Sequence, residues 1–132
     1  MKNILIIEDD SFTNYFYKHF FSKTKFPVDF SEDGNEIFEK LESGNIGLIM
    51  MDINLTNTFF EGVQVDGIFL SKKIKDNPIY KNIPVLLVTA YAKGYGPKNY
   101  FEESRADDYI VKPISDFNEL LKKIENLIDD RN

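Results

Sequence analysis

Five short apolar runs, each closed by polar residues, set the organisation of this chain. Ile4-Leu5-Ile6-Ile7 runs into Glu8-Asp9-Asp10, and Pro27-Val28-Asp29-Phe30 into Glu32-Asp33-Gly34. Gly47 to Met51 runs into Asp52, Pro84-Val85-Leu86-Leu87-Val88 into Thr89, and Asp108-Tyr109-Ile110-Val111 into Lys112-Pro113. Continuous apolar runs this short belong to strands buried on both faces, as in a parallel sheet covered by helices. The stretch 46–55, IGLIMMDINL, reads as the central strand and its exit.

Between these runs the apolar spacing changes to three and four. Phe12, Tyr15, Phe16, His19 and Phe20 predict a first helix with an aromatic inner stripe, Ser11 as its N-cap and His19 as a partly buried packing residue. Asn35 is the expected cap of a second helix that turns Ile37, Phe38 and Leu41 inward and stops at Ser43-Gly44-Asn45. Ile68, Phe69, Ser71, Lys72 and Ile74 mark a third helix, ending before Pro78, and a Gly- and Pro-bearing loop at 93–97 precedes a short polar fourth at 99–104. The last helix opens on Asp116-x-x-Glu119, a capping box, and carries Phe117, Leu120, Leu121, Ile124, Leu127 and Ile128 on one face, with Lys122, Lys123, Asp129 and Asp130 outside it. The segment 54–66 after the central strand exceeds an ordinary strand-to-helix connection.

Strand and helix thus alternate five times, which predicts an α/β three-layer sandwich, (βα)5, with a parallel sheet. Right-handed crossovers with helices on both faces require the winding to reverse within the sheet. In the flavodoxin-like order 2-1-3-4-5 the reversal falls between strands one and three, the two that end in acids.

Composition narrows the function. The 132 residues, with 42% hydrophobic and 29% charged, suit one domain spanning 1–132. No basic leader and no run long enough to cross a bilayer is evident, so no membrane role is expected. Zero Cys excludes disulfides and thiolate metal sites and agrees with a cytoplasmic location. A net charge of −6 argues against direct nucleic-acid binding, which needs a basic face.

A parallel sheet places the carboxyl ends of its strands side by side. Glu8 and Asp9, then Asp52, Thr89 and Lys112, would therefore share one edge. Three crowded carboxylates repel, and a hard divalent cation such as Mg2+ relieves them through oxygen ligands. Thr89 offers a hydroxyl and Lys112 a charge suited to phosphate oxygens. An ionised carboxylate can itself accept a phosphoryl group.

The blocks IIEDD, LIMMDINL, LLVTAYA and YIVKPI, in this order and at these separations, resemble the signature of the response-regulator receiver domain of bacterial two-component systems, in its chemotaxis-type, single-domain form. The resemblance covers essentially the whole chain. It implies that Asp52 accepts a phosphoryl group from a sensor histidine kinase or histidine phosphotransfer protein. It implies that Glu8, Asp9, Asp52 and the backbone carbonyl of Asn54 hold Mg2+, for which Mn2+ substitutes. Thr89 and Tyr109 correspond to the switch pair, Lys112 to the phosphate-contacting lysine, and Lys112-Pro113 to a cis peptide. Ala90 leaves room for the phosphoryl group, while Asn54 and Tyr91 flank its line of approach. The expected output is a change in the surface around the fourth helix and fifth strand, felt by an unknown downstream protein, with dimerisation on activation. Self-phosphorylation and dephosphorylation would be the chain's own catalysis, not turnover of a separate substrate. With the chain ending at its fifth helix, a stand-alone receiver or an excised domain is expected.

Three features depart from that family. Segment 56–65 replaces a shorter loop that usually carries proline. Arg105 stands where glycine is usual, at a cost of about 1 kcal/mol if the left-handed turn is kept. Asp10 is a third acid with no family role. Asp52-Ile-Asn-Leu-Thr56 also resembles the DxDx[TV] motif of haloacid-dehalogenase-type phosphohydrolases, but Asn54 cannot protonate a leaving group and the motif there follows the first strand. A phosphorylation-independent interaction module, or a flavodoxin-like cofactor binder, is the remaining alternative; the latter would want a Ser/Thr/Gly loop where this chain has acids.

Overall fold

The computed structural model describes residues 1–91 and 99–129. The loop anticipated at 93–97, together with Asp130, lies outside them. Strands β1 (Asn3–Ile7), β2 (Val28–Ser31), β3 (Ile46–Asp52), β6 (Val85–Thr89) and β7 (Asp108–Val111) form a parallel sheet in the order β2-β1-β3-β6-β7. With β4 (Phe59–Phe60) and β5 (Val63–Gln64) set apart as a hairpin, this is the expected 2-1-3-4-5 order of a flavodoxin-like fold.

Strand residues alternate between two cores. Leu5, Ile7, Ile49, Met51, Val85 and Leu87 pack against helices α2 (Gly34–Glu42) and α3 (Gly67–Asp76) through Ile37, Leu41, Leu70 and Ile74. Ile4, Ile6, Leu48, Met50, Leu86 and Val88 pack against α1 (Ser11–Phe21) and α5 (Phe117–Asp129) through Tyr17, Phe21, Leu120 and Ile124. Both faces of β3 are buried, which is why its sequence is continuously apolar.

Several expectations about helix ends and faces need correction. Asp10, not Ser11, caps α1: its carboxylate accepts the Thr13 N–H at 2.9 Å and the Thr13 hydroxyl at 2.5 Å, which gives the third acid its role. Asp33, not Asn35, caps α2, accepting the Asn35 N–H at 3.0 Å. The inner face of α1 is Tyr17 and Phe21, whereas Phe12 is 79% exposed and Tyr15 72% exposed. His19 is exposed rather than packed. Aromatics stand at six of the ten positions from 12 to 21, so spacing alone could not choose the face; the sheet did. Phe16 and Phe20 instead reach sideways to Phe117 of α5, at 5.4 and 4.8 Å between ring centroids.

Helix α4 (Tyr100–Ser104) ends at Arg105, which adopts the left-handed conformation (φ 60°) and pairs with Asp76. At the start of α5, Asp116 accepts the Glu119 N–H at 3.1 Å, one half of the expected capping box. The long segment after β3 is a β-hairpin whose two turn residues, Glu61 (φ 51°) and Gly62 (φ 81°), both have positive φ. That is the turn geometry whose twist matches two antiparallel strands.

Candidate functional site

Register brings the predicted residues together at the carboxyl edge. Ile7 pairs with Met51, Asp52 with Val88, and Thr89 with Val111, so Glu8, Asp52, Thr89 and Lys112 stand at neighbouring strand ends. Lys112 is steered there by its own N–H, which donates to the Thr89 carbonyl at 2.7 Å, and its bond to Pro113 is cis.

Asp52 is the buried centre, 4% exposed. Lys112 Nζ donates to its Oδ1 at 2.9 Å and its Oδ2 at 3.0 Å, and the Asn54 N–H donates to Oδ1 at 2.9 Å. Glu8, also buried, lies within hydrogen-bonding reach of Asp52. Burial foremost, then the hydrogen bond and negative charge of Asp52, push the Glu8 carboxyl up to about 8. The neutral form of Glu8 is thereby favoured beside the charge of Asp52, which Lys112 offsets.

Asp9 faces a different neighbourhood. Its Oδ2 accepts the N–H groups of Thr56 at 2.8 Å and Asn57 at 2.7 Å and the Thr58 hydroxyl at 3.2 Å. Thr89 is buried, and its hydroxyl oxygen accepts the Tyr91 N–H at 3.1 Å, leaving its proton for another acceptor. The half-exposed Tyr91 ring packs on Tyr100 at 5.9 Å, and Ala90 is exposed. Tyr109 is half-buried, between Phe101 (ring centroids 5.3 Å apart) and Lys123, whose Nζ stands 5.7 Å from the Tyr109 ring centre.

Two residues of the site escaped the sequence reading. Gly67 opens α3 directly against the end of β3: a Cβ there would lie 1.9 Å from the Asp52 carbonyl oxygen. The dipeptide Asp66-Gly67 before an apolar helix was its only signal. Tyr17 is buried beside the pocket, and burial first, then the charges of Glu8 and Asp52, hold its phenol well above the usual range, so it stays neutral. It lines an apolar cleft of about 380 Å³ with Thr13, Phe16, Lys112, Pro113 and Ile114.

Among the described residues no three acidic or histidine side chains converge closely enough to enclose a metal on their own. The arrangement fits a hydrated cation instead, one that takes one or two carboxylates and keeps several waters. Two buried carboxylates, Glu8 and Asp52, stand at neighbouring strand ends with Lys112 paired to one of them, and they supply the negative charge that such an ion would take up.

A doubly wound parallel sheet with a buried acid, paired to a lysine, at its topological switch defines a flavodoxin-like α/β module with an acidic site. The chain belongs to the response regulator receiver domain family, whose signature it matches over residues 4–125. It is 30% identical to the response regulator ArlR of Staphylococcus saprophyticus over 97% of this chain and 53% of that protein. It is also 30% identical to the transcriptional regulatory protein SrrA of Staphylococcus aureus, over 85% of this chain and 42% of that protein. The chain thus spans about half the length of these relatives. Among solved structures it resembles the signal receiver domain of a signal transduction histidine kinase from Syntrophus aciditrophicus (26% identity, TM-score 0.81, covering 98% of this chain and 92% of that one). It also resembles the response regulator protein TrrA from Thermotoga maritima in complex with Mg2+ and BeF (28% identity, TM-score 0.74, covering 96% and 99%). The chain is a receiver domain of two-component signalling, and no described helix is long and apolar enough to cross a membrane.

Proposed function

We propose that Asp52 accepts a phosphoryl group from a histidine kinase or histidine phosphotransfer protein, and that the modified domain signals to a downstream protein in the cytoplasm. The observation that carries this is the grip of Lys112 on both oxygens of a buried Asp52 between the Glu8 and Asp9 strand end and Thr89. In the reaction an Asp52 oxygen forms the new bond to phosphorus as the bond from phosphorus to the donor's imidazole nitrogen breaks. The freed imidazole keeps the electron pair and takes a proton from solvent. Lys112 follows the charge onto the phosphoryl oxygens, and the Thr89 hydroxyl, with its proton unused, donates to one of them. Thr89 must then leave the Tyr91 N–H, and the space it vacates admits the Tyr109 ring. That couples the site to the face formed by α4, β7 and α5, where a partner or a second activated copy would dock.

Glu8, Asp9, Asp52 and the Asn54 carbonyl would surround a hydrated Mg2+, or Mn2+ in its place, with one or two of the carboxylates bound directly and the rest reached through its waters. When bound, the ion supplies positive charge beside the transferring group. The domain turns over no substrate other than its own acyl phosphate. Incubation with a small phosphodonor and Mg2+ should add one phosphoryl mass to the wild type and none to Asp52→Asn. Equal labelling of the two proteins would reject the assignment.

A further inference from the structure

We propose that the inserted hairpin is a working part of this site: Thr58, together with the Thr56 and Asn57 amides, positions Asp9 as a metal ligand, so cation affinity depends on how the hairpin docks. The inference rests on the reading of the acid pocket as a Mg2+ site.

Three donors converge on Asp9 Oδ2, while Oδ1 accepts no hydrogen bond from the described residues. A carboxylate oxygen so fully engaged has no lone pair left, which makes Oδ1 the atom available to a cation. The same donors fix the orientation of the Asp9 carboxylate at the carboxyl end of β1, next in the chain to Glu8. Thr58 is fully buried, at 0% exposure. A buried hydroxyl needs a partner, and here that partner is Asp9.

The far end of the hairpin is fixed independently. Phe60 sits between Phe38 of α2 and Phe69 of α3, at 5.4 and 6.1 Å between centroids, with Lys73 Nζ 5.2 Å from its ring centre. The Glu61 N–H donates to Asn35 Oδ1 at 3.0 Å. Gly34 makes the approach possible, since a Cβ there would stand 2.6 Å from the Phe59 carbonyl oxygen. At the base, the Val65 N–H donates to the Thr58 carbonyl at 2.9 Å and Gln64 Nε2 to the Thr56 carbonyl at 2.6 Å. The segment is thus a strut between two helices and one acid. By reciprocity, a cation on Asp9 strengthens hairpin docking as much as docking strengthens the cation.

The test is a calorimetric titration of the full chain with Mg2+ alone, no phosphodonor present. It compares wild type with Thr58→Val (same shape, no donor), Thr58→Ser (donor kept), Phe60→Ala (far end loosened) and Asp9→Asn. Loss of an outer-shell partner weakens metal binding by about tenfold or more. Thr58→Val and Phe60→Ala should each show about that loss, Thr58→Ser should stay near wild type, and Asp9→Asn should bind weakest. Urea unfolding without metal checks that each variant folds; should Phe60→Ala fail, the contrast of Val with Ser at position 58 decides. Wild-type or tighter affinity in folded Thr58→Val, with Asp9→Asn still defective, overturns the proposal and leaves the Mg2+ site standing. No Mg2+ binding by the wild type removes both.

Discussion

Gly67→Ala adds one methyl group at the tightest backbone approach made by any of the described glycines. Its Cβ would meet the Asp52 carbonyl oxygen at 1.9 Å, the Asp52 carbonyl carbon at 2.7 Å and Ile53 Cα at 3.0 Å. Carbon and carbonyl oxygen rest at about 3.3 Å, so the end of β3 or the start of α3 must give way by more than about 1 Å. No side chain can rotate to relieve this, because all three atoms belong to the backbone. The shift also strains the bond from the Gly67 N–H to the Ile53 carbonyl, now 3.1 Å. Alanine gains up to about 1 kcal/mol over glycine in a helix. Overpacking costs about 1–3 kcal/mol, and a rigid backbone clash belongs at the upper end. A net loss of about 2 kcal/mol should lower the urea midpoint by about 1 M, given slopes of about 1–3 kcal/mol/M. Because the displaced residue is the proposed acceptor, its labelling by a small phosphodonor should slow as well; misplacement by about 1 Å can cost about a hundredfold. A Gly67→Ala protein as stable as the wild type, or more so, would show that this approach is not a constraint.

Without metal, stability should fall as pH rises from 4.5 towards 8, because Glu8 holds its proton up to about 8 in the folded pocket against an ordinary 4.5 and the folded state binds the extra proton in that window. Glu8→Gln should flatten this slope in chelator, measured by urea unfolding at stepped pH; an unchanged slope rejects Glu8 as the source. Asp107→Ala should cost about 3 kcal/mol, since Asp107 Oδ2 lies 2.5 Å from Lys75 Nζ, whose side chain is only 7% exposed, and also accepts the Val85 N–H at 2.7 Å, so the change removes one member of a buried pair and a backbone hydrogen bond together. Thermal unfolding within about 2 °C of wild type would contradict it. Tyr91→Ala and Asn54→Asp should each shorten the life of the acyl phosphate, the first by opening the approach of water and the second by supplying a base; unchanged single-exponential decay after donor removal refutes the role of the residue concerned.

The periodicity of the chain carried the five-stranded fold and its order because buried strands and amphipathic helices have different repeats, and because handedness leaves few ways to connect them. The meeting of Asp52, Lys112 and Thr89 was legible for the same reason: polar residues closing apolar strands must come together at one edge. Spacing could not say which side of α1 faces inward, since its aromatics run all the way round and only packing against the sheet singles out Tyr17 and Phe21. Nor could it distinguish Asp10 from Ser11, or Asp33 from Asn35, as caps, because each neighbour offers an acceptor and the choice depends on which residue turns extended. The hairpin was hidden by its turn, Glu61-Gly62, which lacks the usual Asn-Gly or Asp-Gly signal, and by strands of two residues each. What the tertiary structure alone decided is the partnership of Asp9 with Thr56, Asn57 and Thr58. Those residues lie 47 to 49 positions away in the chain, and no local pattern records a hydrogen bond that exists only after the sheet has brought two distant loops together.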